Sequence, residues 1–76
     1  MTEPTIITKQ VEAIDHVATG AACRKWRVSV GTTACAVATK LHISASMVSD
    51  LELGRKNWSE PKLEEYVDAV KALTTI

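Results

Sequence analysis

The apolar residues in the middle of the chain recur three and four positions apart, which is the spacing of one face of a helix. Thr32 or Thr33 can cap a helix over TACAVATKL, and Ser44 can cap a second over ASMVSDLEL, which Gly54 closes. Only His42-Ile43-Ser44 lies between them, so the chain must turn sharply. His42 is expected in the left-handed backbone conformation that ends a helix.

The same pattern extends to both sides of this pair. Thr19 can cap a helix over AACRKWRV. A last helix runs from Ser59-Glu60-Pro61 to Leu73, because Pro suits a first turn, and it buries Leu63, Tyr66 or Val67, Val70 and Leu73. In residues 1–18, Thr8 can cap the helical stretch KQVEAIDHVA, while Ile6-Ile7 favours a short strand instead. The expected fold is all-α, with four to five helices and an N-terminal extension that ends at residue 18.

Length and composition limit the class of protein. The chain has 76 residues, of which 46% are hydrophobic, enough for one domain with one core. No segment resembles a signal peptide, and no apolar window approaches the roughly 20 residues of a membrane span, so we expect a cytoplasmic protein. Cys23 and Cys35 belong to no zinc-ligand pattern and are expected to be reduced thiols.

Charge is balanced in total but divided along the chain. Nine basic residues face nine acidic ones, which argues against binding of nucleic acid by bulk charge alone. Residues 24–62 nevertheless hold seven basic and three acidic residues, whereas the remainder holds two and six. The centre is therefore basic and both ends are acidic.

The central pattern resembles a known family. The spacing of apolar and small residues, with a Glu and a Gly at the end, is similar to the helix-turn-helix of the lambda-repressor-like, or Cro and C1-type, DNA-binding domains: Val37, Ala38, Leu41, Ile43, Val48, Leu51, Glu52 and Gly54. Upstream, CRKWR matches the family's first core helix, and downstream ELGRKN matches its exit loop. The resemblance covers residues 20–73 and implies that the second motif helix enters the major groove.

The resemblance also implies roles for individual residues. The outward side chains of the second motif helix would contact base edges: Ala45, Ser46, Ser49 and Asp50. Residues at the start and at the end of the first motif helix, and in the exit loop, would contact phosphates: Thr33, Lys40, Arg55, Lys56 and Asn57. Arg27 and Glu52 would form a structural ion pair that orients this loop. Two positions depart from the family: Asp50 is repelled by phosphates, and Ala34 replaces a common Gln.

The function implied is sequence-specific DNA binding by a regulator that represses bacterial or phage promoters. We expect a homodimer that binds double-stranded DNA at an inverted-repeat operator. The first choice of dimer interface is the last helix with Thr74-Thr75-Ile76, and the second choice is the N-terminal extension. No metal, cofactor, small-molecule ligand or membrane contact is expected, and no catalytic pattern is present. The alternative is a helix-turn-helix module that binds protein, like an antitoxin or anti-repressor partner. Three roles are considered for Trp58, namely packing, contact with a DNA sugar and contact within a dimer, and packing is favoured. The role of Trp26 is open in the same way.

Overall fold

The computed structural model describes residues 2–9 and 13–74. It contains a small antiparallel hairpin and four helices, which confirms the expected small all-α domain. No helix among these residues is long and apolar enough to cross a membrane. In chain order the elements are β1 (Thr8–Lys9), β2 (Ala13–Ile14), α1 (His16–Ser29), α2 (Ala34–Leu41), α3 (Ala45–Glu52) and α4 (Glu60–Thr74).

The N-terminal extension forms the hairpin, so the helix expected after Thr8 is wrong at Lys9 and at residues 13–15, while residues 16–18 are helical as the start of α1. Residues 10–12 of that expected helix lie outside the described residues. Strand β1 pairs with β2 with Thr8 opposite Ile14. Helix α1 starts at His16 because the Asp15 carboxylate accepts the backbone N–H of Ala18 at 3.0 Å. The cap therefore lies four residues before the Thr19 that was expected to supply it.

Thr19 instead ties the hairpin to α1. Its side chain is completely buried, and its hydroxyl accepts the backbone N–H of Ile7 at 3.0 Å. The backbone N–H of Asp15 donates to the Ile7 carbonyl oxygen at 2.7 Å. These bonds hold the segment before β1 against the start of the first helix.

The central pair of helices forms as the sequence predicted. Thr33 caps α2 by accepting the N–H of Ala36 at 3.1 Å, and Ser44 caps α3 by accepting the N–H of Met47 at 3.1 Å. His42 ends α2 with φ 59° and ψ 39°, in the left-handed region. Two side-chain caps and one left-handed residue therefore define a three-residue turn between α2 and α3.

The core lies between these two helices and the two that flank them. Helix α2 packs against α3 and α4, and α1 packs against α3. Both Tyr66 and Val67 are buried, but Leu73 is 40% exposed, so its expected burial is wrong. The buried apolar residues are Cys23, Trp26, Val37, Ala38, Val48, Leu51, Trp58, Leu63, Tyr66, Val67, Ala69 and Val70.

Trp58 anchors the loop between α3 and α4 in the core, which confirms the packing role favoured for it. Its indole N–H donates to the Leu51 carbonyl oxygen at 2.8 Å, and its ring meets the Tyr66 ring edge-on at 5.5 Å. Its backbone N–H donates to His16 Nδ1 at 2.8 Å. The loop is thus attached to both α3 and the start of α1. Trp26 is also buried.

Two glycines allow α1 to approach the end of α3. A Cβ on Gly20 would collide with the carbonyl oxygens of Leu51 and Glu52, the second of them 2.6 Å away. Gly54 follows α3 with φ +79°, and a Cβ there would lie 2.6 Å from the Cα of Val17. The backbone of α1 therefore lies directly against the end of α3.

Candidate nucleic-acid interface

Helix α3 has one buried and one exposed side. Val48, Leu51 and Glu52 face inward and are buried. Ala45, Ser46 and Ser49 are exposed, and the Ser46 and Ser49 hydroxyls make no hydrogen bond within the part of the chain that the structure describes. This side of the helix presents small, unpaired groups that can donate and accept.

Asp50 is half-buried and already has a partner. Its carboxylate lies 3.7 Å from Arg55 Nη1, and its carbonyl oxygen accepts the Arg55 backbone N–H at 2.8 Å. A residue expected to read a base and a residue expected to contact a phosphate therefore interact with each other. The pairing partly neutralises the carboxylate that otherwise opposes a close approach of DNA.

The residues expected at phosphates lie in separate places. Thr33 is exposed at the start of α2, and its hydroxyl oxygen is occupied by the capping bond to Ala36. Lys56 and Asn57 are exposed in the loop after α3. Lys40 does not join them, because it lines a shallow depression between α2 and α4 with Glu65 and Asp68.

Arg27 and Glu52 form a bidentate ion pair across the core, as the resemblance implied. Arg27 Nε lies 2.7 Å from Glu52 Oε2, and Nη2 lies 3.0 Å from Oε1. Nη1 donates to the Thr32 carbonyl oxygen at 2.7 Å, and the Tyr66 hydroxyl donates to Glu52 Oε2 at 2.6 Å. The network thus joins α1, α3, α4 and the turn before α2.

The participation of Thr32 and Tyr66 was not predicted. The sequence pattern placed Tyr66 only on a helix face and gave no sign of its hydroxyl partner. Among the described residues, every buried side-chain nitrogen and oxygen has a hydrogen-bond partner. The polar centre of the domain is therefore fully satisfied, which is the condition for such a network to order a core rather than weaken it.

Burial and the charge of Glu52 shift the titration of nearby groups. Loss of hydration, with a smaller contribution from Glu52, raises the pKa of the Cys23 thiol to about 12. Burial, and then hydrogen bonding to Glu52, raises the pKa of Tyr66. The hydrogen bond to Glu52 raises the pKa of Arg27. All three groups keep their protons around neutral pH, so Arg27 is the cation of the network and is paired with the Glu52 carboxylate.

A groove beside Ser49 contains two basic residues that sequence reasoning did not assign. Helices α1 and α3 border it, and Arg24 and Lys25 of α1 line it together with Ser49 of α3 and Leu53, which directly follows α3. Both basic residues were counted in the basic segment, but no spacing rule indicated that α1 lies beside the exposed side of α3. This placement became visible only with the packing of the two helices.

The described residues contain no group of three or more His, Cys, Asp or Glu side chains placed to hold a metal ion. Cys23 and Cys35 are free thiols, the first buried and the second exposed. Comparison of the chain with protein-family models, with curated proteins and with solved structures finds no match.

Proposed function

We propose that the chain is a lambda-repressor-like, sequence-specific DNA-binding regulator of the bacterial and phage type, which acts in the cytoplasm as a homodimer and represses promoters. One observation carries the proposal. Helix α3 is held by a capped three-residue turn, buries one side, and presents Ala45, Ser46 and Ser49 on the other without internal hydrogen bonds. A surface helix whose polar groups lack internal partners suits recognition by an external partner.

The dimensions of α3 support insertion into the major groove. An α-helix with its side chains is about 10–12 Å in diameter. The major groove of B-DNA is about 12 Å wide and accepts a helix. Small residues such as Ala45 and Ser46 at its start let the backbone come close to base edges. Serine hydroxyls then donate or accept, and an alanine methyl contacts a thymine methyl.

Phosphate contacts would come from groups around this helix. The first N–H groups of α2, beside Thr33, lack partners within the helix and favour an anion. Lys56 and Asn57 extend from the loop after α3, and Arg55 lies next to them. The Arg27–Glu52 pair fixes the end of α3 where this loop begins. The proposed contacts therefore come from segments that precede and follow α3 along the chain. Lys40, which lies near α4, is the weakest member of the set.

Dimerisation follows from the small reading surface. One eight-residue helix reaches only a few base pairs, whereas two helices related by two-fold symmetry read an inverted repeat. We place the interface at α4, where Leu73 is 40% exposed beside a shallow depression lined by Ala36, Lys40 and His42. Thr75 and Ile76 were included in the expected interface but lie outside the described residues.

Selection of DNA from a random pool, followed by anisotropy titrations at several salt concentrations, tests the proposal. We expect enrichment of an inverted repeat, binding that weakens steeply with salt, and a protein dimer on each site. The Val48→Asp variant, in which a charge disrupts the buried side of α3, serves as the unfolded control. Failure to enrich any sequence, or affinity that ignores salt, contradicts the proposal.

A protein-binding module is the second candidate. It is favoured by the zero net charge and by three exposed apolar side chains, Val17, Val28 and Leu53, which DNA binding does not use. The same titrations separate the two candidates, because a module that binds only protein shows no enrichment of DNA while remaining folded.

A further inference from the structure

Helix α1 carries a second apolar stripe besides the one it buries. Val17, Ala21, Arg24 and Val28 follow one another at spacings of four, three and four residues, so they share one face. Val17 is 62% and Val28 is 55% exposed. With Leu53, which directly follows α3 and is 51% exposed, they are the most exposed large apolar side chains of the described residues. All three border the contact between α1 and α3.

These residues form one surface, which we call the α1–α3 groove. Ala21, Val28 and Leu53 supply its apolar lining, and Ser49 lies at its edge on α3. Val17 extends it, because this residue packs against Gly54, immediately after Leu53. The exposed apolar side chains therefore lie along one face of α1, with Arg24 between Ala21 and Val28.

The charge on this groove has one sign. Arg24 and Lys25 are exposed along its rim, and neither forms an ion pair within the described parts of the chain. The carboxylate in the wall belongs to Glu52, which is buried and already bound to Arg27 and Tyr66. An occupant of this groove therefore meets apolar side chains and unpaired positive charge.

We propose that the α1–α3 groove binds an amphipathic helix of another protein, one whose apolar stripe is bordered by Asp and Glu residues. From residue 17 to residue 28 the stripe rises about 16 Å at roughly 1.5 Å per residue, or three helical turns. That length accommodates the successive i, i+4 and i+7 anchors by which helices bind in grooves. The acidic flanks pair with Arg24 and Lys25 and fix the orientation of the bound helix.

The occupant is a different protein and not a second copy of this chain. This step rests on the proposed function. Ser49 belongs both to the groove edge and to the reading side of α3, so a helix in the groove covers part of the surface that faces DNA. A homodimer joined there would be unable to read its operator. A separate acidic partner, by contrast, competes with DNA and releases the regulator from it.

Heteronuclear NMR titration of the full chain tests the proposal with two designed, internally cross-linked helical peptides. One has leucines along a single stripe with glutamates on both sides, and the other has lysines in place of the glutamates. We expect the acidic peptide to shift the amide signals of Ala21, Val28, Ser49 and Leu53. The lysine peptide should bind at least about tenfold more weakly, because its charges repel Arg24 and Lys25.

Matched variants separate docking from loss of structure. Val28→Ser combined with Leu53→Ser removes apolar contacts at exposed positions, so it should abolish peptide binding while the thermal midpoint and DNA binding stay unchanged. Leu73→Ser removes an exposed apolar side chain on α4 and should leave peptide binding intact. In competition, the acidic peptide should displace DNA.

Each outcome bears on one proposal. DNA binding without any groove shifts from the acidic peptide, or equal binding of both peptides, overturns the docking inference and leaves the DNA-binding proposal standing. If the acidic peptide binds at the groove but the chain selects no DNA, the groove is supported as a docking site and the DNA-binding proposal is contradicted. The reason for excluding a second copy as the occupant is then removed. Sedimentation of the double variant then decides that point: loss of a dimer would overturn the assignment to another protein.

Discussion

Replacement of Arg27 by Met should destabilise the domain by about 3–5 kcal/mol, because it leaves the Glu52 carboxylate buried and without a cation. Glu52 is only 5% exposed, and after the change Tyr66 is its one remaining side-chain partner among the residues that the structure describes. A chain of 76 residues has a free energy of unfolding of about 4–11 kcal/mol, at roughly 0.05–0.15 kcal/mol per residue. The single change thus removes a large part of the total stability.

Urea unfolding followed by the fluorescence of the two buried tryptophans measures this loss. Adding Glu52→Gln to Arg27→Met should restore about 1–3 kcal/mol, since the amide carries no charge and its oxygen still accepts the Tyr66 hydroxyl. The control is Arg55→Met, which breaks the exposed 3.7 Å pair with Asp50 and should cost at most about 1 kcal/mol. If Arg27→Met costs no more than Arg55→Met, or if the two core changes simply add, the stranded-charge reasoning is wrong.

Other changes test the close helix contact, the buried thiol and the residues proposed to contact DNA. A change from Gly to Ala stabilises an ordinary helix, but Gly20→Ala should destabilise this one, because the added Cβ collides with the end of α3. The Cβ added by Gly31→Ala meets open space, so this change should cost only about 1–2 kcal/mol, for the positive φ. Thermal melting of the two variants measures the difference. Between about pH 9 and 10 the Cys23 thiol ionises in the unfolded chain but not in the folded one. The free energy of unfolding should therefore fall by up to about 1.4 kcal/mol per pH unit, as measured by urea titrations. In the Cys23→Ala variant this fall should be smaller. Lys56→Ala should weaken binding to all DNA sequences alike and lower the salt slope by about one, while Ser49→Ala should change preference at one operator position by about 1–3 kcal/mol, both measured by anisotropy.

The elements that the sequence predicted correctly are those governed by neighbouring residues. Thr33, Ser44 and His42 act on the backbone within a few positions of themselves, so their caps and the turn could be predicted from local chemistry. The N-terminal helix was predicted wrongly because Thr8 and Asp15 are both good caps. The choice between them depends on the bond from Ile7 to the buried Thr19, which forms only in the folded chain.

In the candidate site, too, some features could be predicted from neighbouring residues and others depend on the packing of the fold. Exposure of Ala45, Ser46 and Ser49 follows from helical spacing once the buried face of α3 is known. The pairing of Asp50 with Arg55 and the position of Arg24 beside Ser49 depend on packing between elements. Charge alone could not distinguish Lys40, which lies near α4, from Lys56 in the exit loop. Distances across the fold, and not residue type, decide which cations are near α3.

The bonds between the N-terminal segment and the rest of the chain make these residues part of the folding unit, although the sequence suggested a separable extension. A shortened chain that begins at residue 19 would lose three attachments at once: the Asp15 cap, the Ile7 bond that satisfies the buried Thr19 hydroxyl, and the His16 ring that accepts the Trp58 backbone N–H. The third loss would loosen the loop after α3 from a distance of some forty residues. We therefore expect a chain that lacks Ile7, Asp15 and His16 to be less stable than the full chain, and tags or fusions at this end should be joined before residue 6, not at the start of the helical region.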